Sequence, residues 1–162
     1  MSVMMSKMRV VRGRQRGFTL IEILVTVVVL AIGLLGLAGL QATSVRFNHS
    51  AYLRSQATSL AYDIADRMRA NTVAARAGAY DGAVATNCAA VALAGTLAQQ
   101  DRQAWGNALA CTLPLGAGNI CRGTLAVDGT CTAVANVFTI RVQWDDSRGQ
   151  DPVQQFDMMT DL

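Results

Sequence analysis

The N-terminal part of the chain divides sharply into a basic segment and a long apolar run. Residues 1–17 carry five basic side chains and no acid, whereas residues 18–40 carry a single charged side chain, Glu22. As an α-helix, the apolar run would extend roughly 34 Å at about 1.5 Å per residue, enough to cross a hydrocarbon layer of about 30 Å. The pattern therefore predicts a membrane-spanning helix over residues 18–40.

The helical pattern continues beyond this span to about Asn71. Apolar residues recur there at steps of three and four, and two acid–arginine pairs, Asp63 with Arg67 and Asp66 with Arg69, have helical spacing. The apolar positions are Leu53, Ala57, Leu60, Ala61, Ile64, Ala65 and Met68. We therefore expect one helix of about 50 residues, with its second half lying against a globular head.

A second, shorter helix is predicted in the head. Residues 77–95 form an Ala- and Gly-rich loop that ends the first helix, and residues 96–113 have a helical pattern that stops at Pro114. The candidates for the buried face of the second helix are Leu97, Trp105, Ala108 and Leu109.

The last third of the chain is predicted to form strands. Asp128-Gly129 indicates a two-residue hairpin turn, and residues 138–144 alternate apolar and polar side chains. Arg141, within that strand, needs no functional explanation. The acids near the C-terminus, which are Asp145, Asp146, Asp151, Asp157 and Asp161, indicate a solvated tail rather than a calcium-binding loop. We expect an α+β fold in which the long N-terminal helix packs on a small antiparallel sheet.

Four cysteines lie in the head: Cys88, Cys111, Cys121 and Cys131. Outside the cytoplasm they would form two disulfides, each stabilising the fold by about 2–4 kcal/mol. A four-cysteine zinc site is less favoured, because no Cys-x-x-Cys pair occurs. With a two-residue turn at Asp128-Gly129, Ala126 would face Cys131, and Cys121 would not be directly opposite Cys131. The three possible pairings stay open.

The charge distribution orients the chain in a membrane. The formal charge is +3, but after residue 40 the chain has nine basic and ten acidic side chains. Five positive charges before the span place the N-terminus in the cytoplasm and the head across the membrane. A secretory signal peptide has a shorter apolar core and a small-residue cleavage site behind it, so the run is too long for one. The near-neutral head argues against nucleic acid as a main ligand.

Glu22 is the exception within the apolar run, because a carboxylate in a bilayer costs about 2.5 kcal/mol or more. If the chain is cut between Gly17 and Phe18, the new α-amino group is largely protonated near neutral pH. That amine lies four residues from Glu22, on the same face of a helix. This amine, or the one of a neighbouring subunit, could neutralise the acid.

The run Gly17-Phe18-Thr19-Leu20-Ile21-Glu22, directly behind a basic leader, resembles the processing motif of type IV pilins and pseudopilins. The resemblance implies that a dedicated peptidase cuts after Gly17 and methylates Phe18. It also implies that Glu22 guides the docking of each subunit against the N-terminus of its neighbour. The implied parts are a cleaved leader (1–17), a transmembrane half-helix (18–40), a periplasmic half-helix (41–76) and a globular head (77–162).

Within this family, later segments are similar to minor pilins of the PilV type, the type IV pilus modification proteins. These segments are residues 32–41, residues 66–71, the helix around Trp105 with Leu113-Pro114, and residues 142–145. The similarity implies a minor pilin that helps to initiate pilus assembly or modifies the pilus tip. The alternatives are a minor pseudopilin of type II secretion and a tip pilin that binds DNA or another ligand.

The resemblance also implies a location and partners. The protein would sit in the inner membrane by one span, with a periplasmic C-terminal domain, and would enter the pilus on assembly. Its expected partners are the prepilin peptidase, other minor pilins, the major pilin and the inner-membrane assembly platform. Lys7, in the leader, is the only lysine, and His49 is the only histidine. A mature phosphate-binding loop with its lysine is therefore excluded, and we expect no enzymatic activity, cofactor or metal site.

Overall fold

One helix, α1, runs from Leu20 to Ala70 in the computed structural model, which describes residues 17–89, 93–147, 149 and 152–162. The prediction of one long helix is confirmed. A short helix, α2 (Thr72–Arg76), follows directly. The chain divides into two compact units between Ser44 and Val45. Residues 1–16 of the expected leader lie outside the described residues, as does Asp151.

The C-terminal unit is built on an apolar stripe of α1. Most of the predicted stripe is buried: Leu53, Ala57, Ala61, Ile64, Ala65 and Met68. Leu60 is partly buried against the same core. On the flank of the stripe, Arg67 lies 3.1 Å from Asp63 and Arg69 lies 2.7 Å from Asp66, so both predicted ion pairs are confirmed.

The second helix, α3, spans Leu97–Thr112 and begins with a capping box. The Thr96 side chain accepts a hydrogen bond from the Gln99 amide, and the Gln99 side chain accepts one from the Thr96 amide. Trp105 and Leu109 are buried, as predicted, but Leu97 is 60% exposed. The core-facing stripe of α3 runs instead through Ala98, Asp101, Trp105 and Leu109, which lie three or four positions apart on one face of the helix.

A four-stranded antiparallel sheet completes the head, with strand order β1-β2-β3-β4. The strands are β1 (Gly82–Val84), β2 (Ala117–Leu125), β3 (Cys131–Trp144) and β4 (Gln154–Asp161). Alternate β3 residues join the same core as α1 and α3: Phe138, Ile140, Val142 and Trp144. The indole N–H of Trp105 donates to the carbonyl of Leu60 at 2.9 Å, which ties α3 to α1. The α+β prediction, with the long helix packed on a small antiparallel sheet, is confirmed.

Two strands were absent from the sequence-based prediction. The loop predicted over residues 77–95 contains β1, and the predicted solvated tail contains β4. β1 has three residues and β4 has two acids among eight, so neither has a strong intrinsic strand pattern. Both form because β2 and β3 offer them backbone hydrogen-bonding partners.

The β2–β3 hairpin differs from the predicted two-residue turn. The amide of Gly129 donates to the carbonyl of Ala126, and the amide of Ala126 donates to the carbonyl of Thr130. Gly129 adopts a positive φ of 86°, so the connection is a three-residue turn with a glycine bulge. As a result, Cys131 lies opposite Leu125 rather than Ala126.

Beyond Arg122 the hairpin folds back over the outer face of the sheet, which is the face opposite the core. The register shifts between Arg122 and Gly123, and Gly123 has a φ of 133°. A Cβ at Gly123 would collide with the carbonyl oxygen of Thr132, so no larger residue fits there. The hydroxyl of Thr139, on the outer face, donates to the Gly123 carbonyl and is buried.

Candidate processing and assembly site

The Gly17–Phe18 peptide bond precedes the first helical turn. Gly17, Phe18 and Thr19 are non-helical, and Phe18 is 79% exposed. Thr19 caps α1, because its carbonyl and its hydroxyl both accept from the amide of Glu22, at 3.1 and 3.3 Å. The bond is therefore exposed and lies outside the helix, so among the described residues nothing blocks access of a protease to it.

Gly17 has no packing role among the residues that the structure describes. A Cβ added to Gly17 would have no atom of the described chain within 4 Å, apart from its neighbours in sequence. Because the fold tolerates a larger residue there, a requirement for glycine would come from a molecule that binds this segment. Thr19 was not singled out from the sequence, although Thr19-x-x-Glu22 is a recognisable capping-box pattern.

Glu22 lies in the first turn of α1, where the helix dipole favours a negative charge. Its side chain is exposed, and no hydrogen bond or ion pair joins its carboxylate to another residue in the described part of the chain. A carboxylate in an apolar setting needs a positive partner. This first turn therefore presents an acid whose partner must come from outside it.

The apolar N-terminal part of α1, which carries Glu22, is exposed. α1 is long and apolar enough to cross a membrane, and the apolar window is not buried against any other described part of the chain. A core helix of a soluble protein would instead bury most of such a window. The exposed apolar side chains between residues 20 and 40 favour a lipid or helix-packed setting.

A family comparison covers this segment. Residues 12–38 match the model of the prokaryotic N-terminal methylation motif. The chain carries a type IV pilin-like N-terminus. The match includes Gly17, Phe18 and Glu22, and the motif implies processing by a prepilin peptidase and assembly at the membrane. Among curated proteins and solved structures, none matches the chain significantly.

The pilin-like motif belongs to structural rather than enzymatic proteins. The motif overlaps the one helix in the described ranges that is long and apolar enough to span a membrane, which indicates a membrane-anchored, single-pass protein. The α+β head is consistent with a pilin fold. His49 is exposed on α1. In the ranges that the structure describes, no three His, Cys, Asp or Glu side chains are grouped so that they could hold a metal ion.

The four cysteines pair as Cys88–Cys111 and Cys121–Cys131. The first disulfide joins the loop after β1 to the last turn of α3, with the two Cα atoms 4.8 Å apart. The second joins β2 to the start of β3, on the returning strand of the folded-back hairpin, with a Cα separation of 5.6 Å. Cys121 lies opposite Thr139 and Cys131 opposite Leu125, so the bridged residues are not direct cross-strand partners.

A partly buried polar network holds the end of α1 against α3. The hydroxyl of Tyr80 donates to Asp101 at 2.6 Å, and the guanidinium of Arg67 donates to the other oxygen of Asp101 at 3.4 Å. Burial, together with the hydrogen bond to Asp101, raises the pKa of Tyr80 from 10.0 to about 12. This network maintains the head rather than forming a reactive site.

Proposed function

We propose that the protein is a minor type IV pilin. It is cut between Gly17 and Phe18, methylated at the new N-terminal Phe18, and then incorporated into the pilus. One observation carries the proposal: the residues that match the methylation motif include an exposed, non-helical Gly17–Phe18 bond directly before an uncovered apolar helix.

The proposed role of Glu22 is to dock subunits during assembly. Its carboxylate has no partner in the described chain, whereas the amine of Phe18 becomes available after cleavage. The pairing of this acid with the amine of a neighbouring subunit would offset its desolvation cost in the membrane. Docking would thereby be coupled to processing, because the uncut chain lacks that amine.

The proposed location follows from the basic leader. Five positive charges before the span favour a cytoplasmic N-terminus, so the head would lie in the periplasm. The two disulfides are in keeping with that oxidising compartment. The proposed partners are the prepilin peptidase, other minor pilins, the major pilin and the inner-membrane assembly platform.

Within the pilins, we propose a role of the PilV type, in pilus initiation or tip modification. The similarity of residues 32–41, 66–71 and 142–145 to that group supports this role. A minor pseudopilin of type II secretion would share the cleavage motif. Loss of pili with intact secretion after deletion of the gene would favour the pilus, and the reverse result would favour the secretion system.

Mass spectrometry of the mature protein tests the processing step. We expect an N-terminus at Phe18 that carries one methyl group, and a Gly17→Val variant that accumulates as full-length precursor. Gly33→Val is the matched control, because a Cβ at Gly33 also meets open space, yet this residue lies far from the cut. Normal maturation of Gly17→Val, or an N-terminus elsewhere, would refute the proposal.

A further inference from the structure

The two edges of the sheet differ in how well they are protected. β1, at one edge, has three residues, and its Ala83 carbonyl accepts a hydrogen bond from Arg102 at 2.9 Å. β4, at the other edge, has eight residues and pairs with β3 from Gln154 to Asp161 without a register shift. Natural proteins blunt their edges with short strands, bulges, prolines or charges. β1 is blunted in this way.

β4 has few of these protective features. It contains no proline, lysine or arginine. Asp157, one of its two acids, is neutralised by a two-pronged contact with Arg141, with both hydrogen bonds at 2.8 Å. Met159 is 65% exposed beside it. Asp161, at the end of the strand, is exposed and has no side-chain partner among the residues described.

The free edge of β4 offers a regular row of backbone groups. In an antiparallel pair, alternate residues direct their N–H and C=O groups toward the neighbouring strand, and the remaining residues direct theirs away. About half of the β4 backbone groups therefore point outward over a length of about 27 Å. Within the described chain, no backbone group of another strand or helix forms a hydrogen bond with this edge.

We propose that the outer edge of β4 binds an extended strand of a different protein chain, and that this strand presents a lysine or arginine toward Asp161. The backbone of β4 would supply the pairing, and Asp161 would supply the charge preference. A second copy of β4 brings no basic residue, so it fits Asp161 less well than a basic strand does. The inference rests on the sheet alone and does not depend on the proposed function.

Hydrogen exchange of the full-length chain in detergent micelles tests this inference. The probes are two synthetic peptides, Thr-Val-Lys-Val-Lys-Val-Lys-Val-Thr and the same sequence with Glu in place of Lys. We expect the Lys peptide to slow amide exchange in β4 but not in β1. It should bind about two- to fivefold more tightly than the Glu peptide, the range that one cross-strand charge pair supplies.

Charge reversal provides the specific control. Asp161→Lys should reverse the preference between the two peptides, while Val73→Lys, which adds a charge at an exposed site on α2, should leave the preference unchanged. Failure of both peptides to protect β4, or a preference that Asp161→Lys does not alter, would overturn the inference. Protection of β4 that rises with protein concentration alone would identify a second copy as the occupant and would overturn it as well.

Discussion

Arg141 and Asp157 lie opposite each other on β3 and β4, and two hydrogen bonds of 2.8 Å join the guanidinium to both carboxylate oxygens. Arg141 is 4% exposed, and it also donates to the carbonyls of Leu125 and Ala126 in the folded-back hairpin. The contact with Asp157 raises the pKa of Arg141 above its ordinary value, so the charge persists although it is buried. One side chain therefore links the last strand, the central strand and the hairpin.

Removing the carboxylate should destabilise the head. In Asp157→Ala, Arg141 would stay buried without its counter-charge. We expect the free energy of unfolding to fall by about 2–3 kcal/mol, less than the roughly 3–5 kcal/mol of a fully buried pair, because the Asp157 side chain is 32% exposed. Urea unfolding measures the change. Asp161→Ala, in the same strand but at an exposed position, should change the free energy of unfolding by no more than about 0.5 kcal/mol. Equal effects of the two variants would contradict the stabilising role of the Arg141–Asp157 pair.

Alkaline pH should weaken the contact between the end of α1 and α3. The raised pKa of Tyr80 means that the folded chain holds this proton more tightly than the unfolded chain does. The stability that the protonated Tyr80 hydroxyl gives to the fold is therefore complete below pH 10.0. It is lost as the pH rises through about 12. At neutral pH, Tyr80→Phe should lower the free energy of unfolding by about 1.5–3 kcal/mol. Above pH 10.0, its stability should fall less than that of the unmodified chain.

Thermal unfolding followed across that pH range tests the prediction for Tyr80. Tyr62→Phe is the matched control, because Tyr62 is exposed on α1. Identical pH profiles for Tyr80→Phe and the unmodified chain would argue against the Tyr80–Asp101 hydrogen bond as the cause.

The two disulfides should stabilise different parts of the head. Replacement of Cys121 and Cys131 by alanine should speed amide exchange in the folded-back hairpin and destabilise the head by about 2–4 kcal/mol. The hairpin should keep part of its protection, because the contacts from Arg141 remain. Replacement of Cys88 and Cys111 should instead loosen the loop after β1. The same exchange pattern in both double variants would rule out this division.

Glu22 should matter for assembly but not for cleavage. Glu22→Ala leaves the Gly17–Phe18 bond and the Thr19 cap in place, so the variant should mature normally. We expect its amount in sheared filaments to fall about tenfold, which corresponds to the loss of one charge-assisted contact. Thr26→Ala, one turn further along α1, serves as the control. Normal incorporation of Glu22→Ala would contradict the docking role.

Local sequence patterns were enough to predict the long N-terminal helix and part of the head. The apolar run, the motif around Gly17 and Glu22, the continuous helix and the Trp105 helix all depend on local composition and on spacing of three or four residues. Such patterns can be recognised without knowing which residues far apart in sequence come into contact. The near-neutral charge of the head and the hairpin between β2 and β3 could be predicted for the same reason, because both depend on composition or on adjacent residues.

Tertiary structure alone decided the features that join residues far apart in sequence. The hairpin register moved by one residue because Gly129 takes a left-handed conformation, and the cysteine pairing follows from the fold-back at Gly123. β4 forms although its own sequence predicts a solvated tail, because β3 supplies its hydrogen-bonding partners and Arg141 neutralises Asp157. Strand pairing and burial are properties of two segments together, so neither segment's sequence contains them.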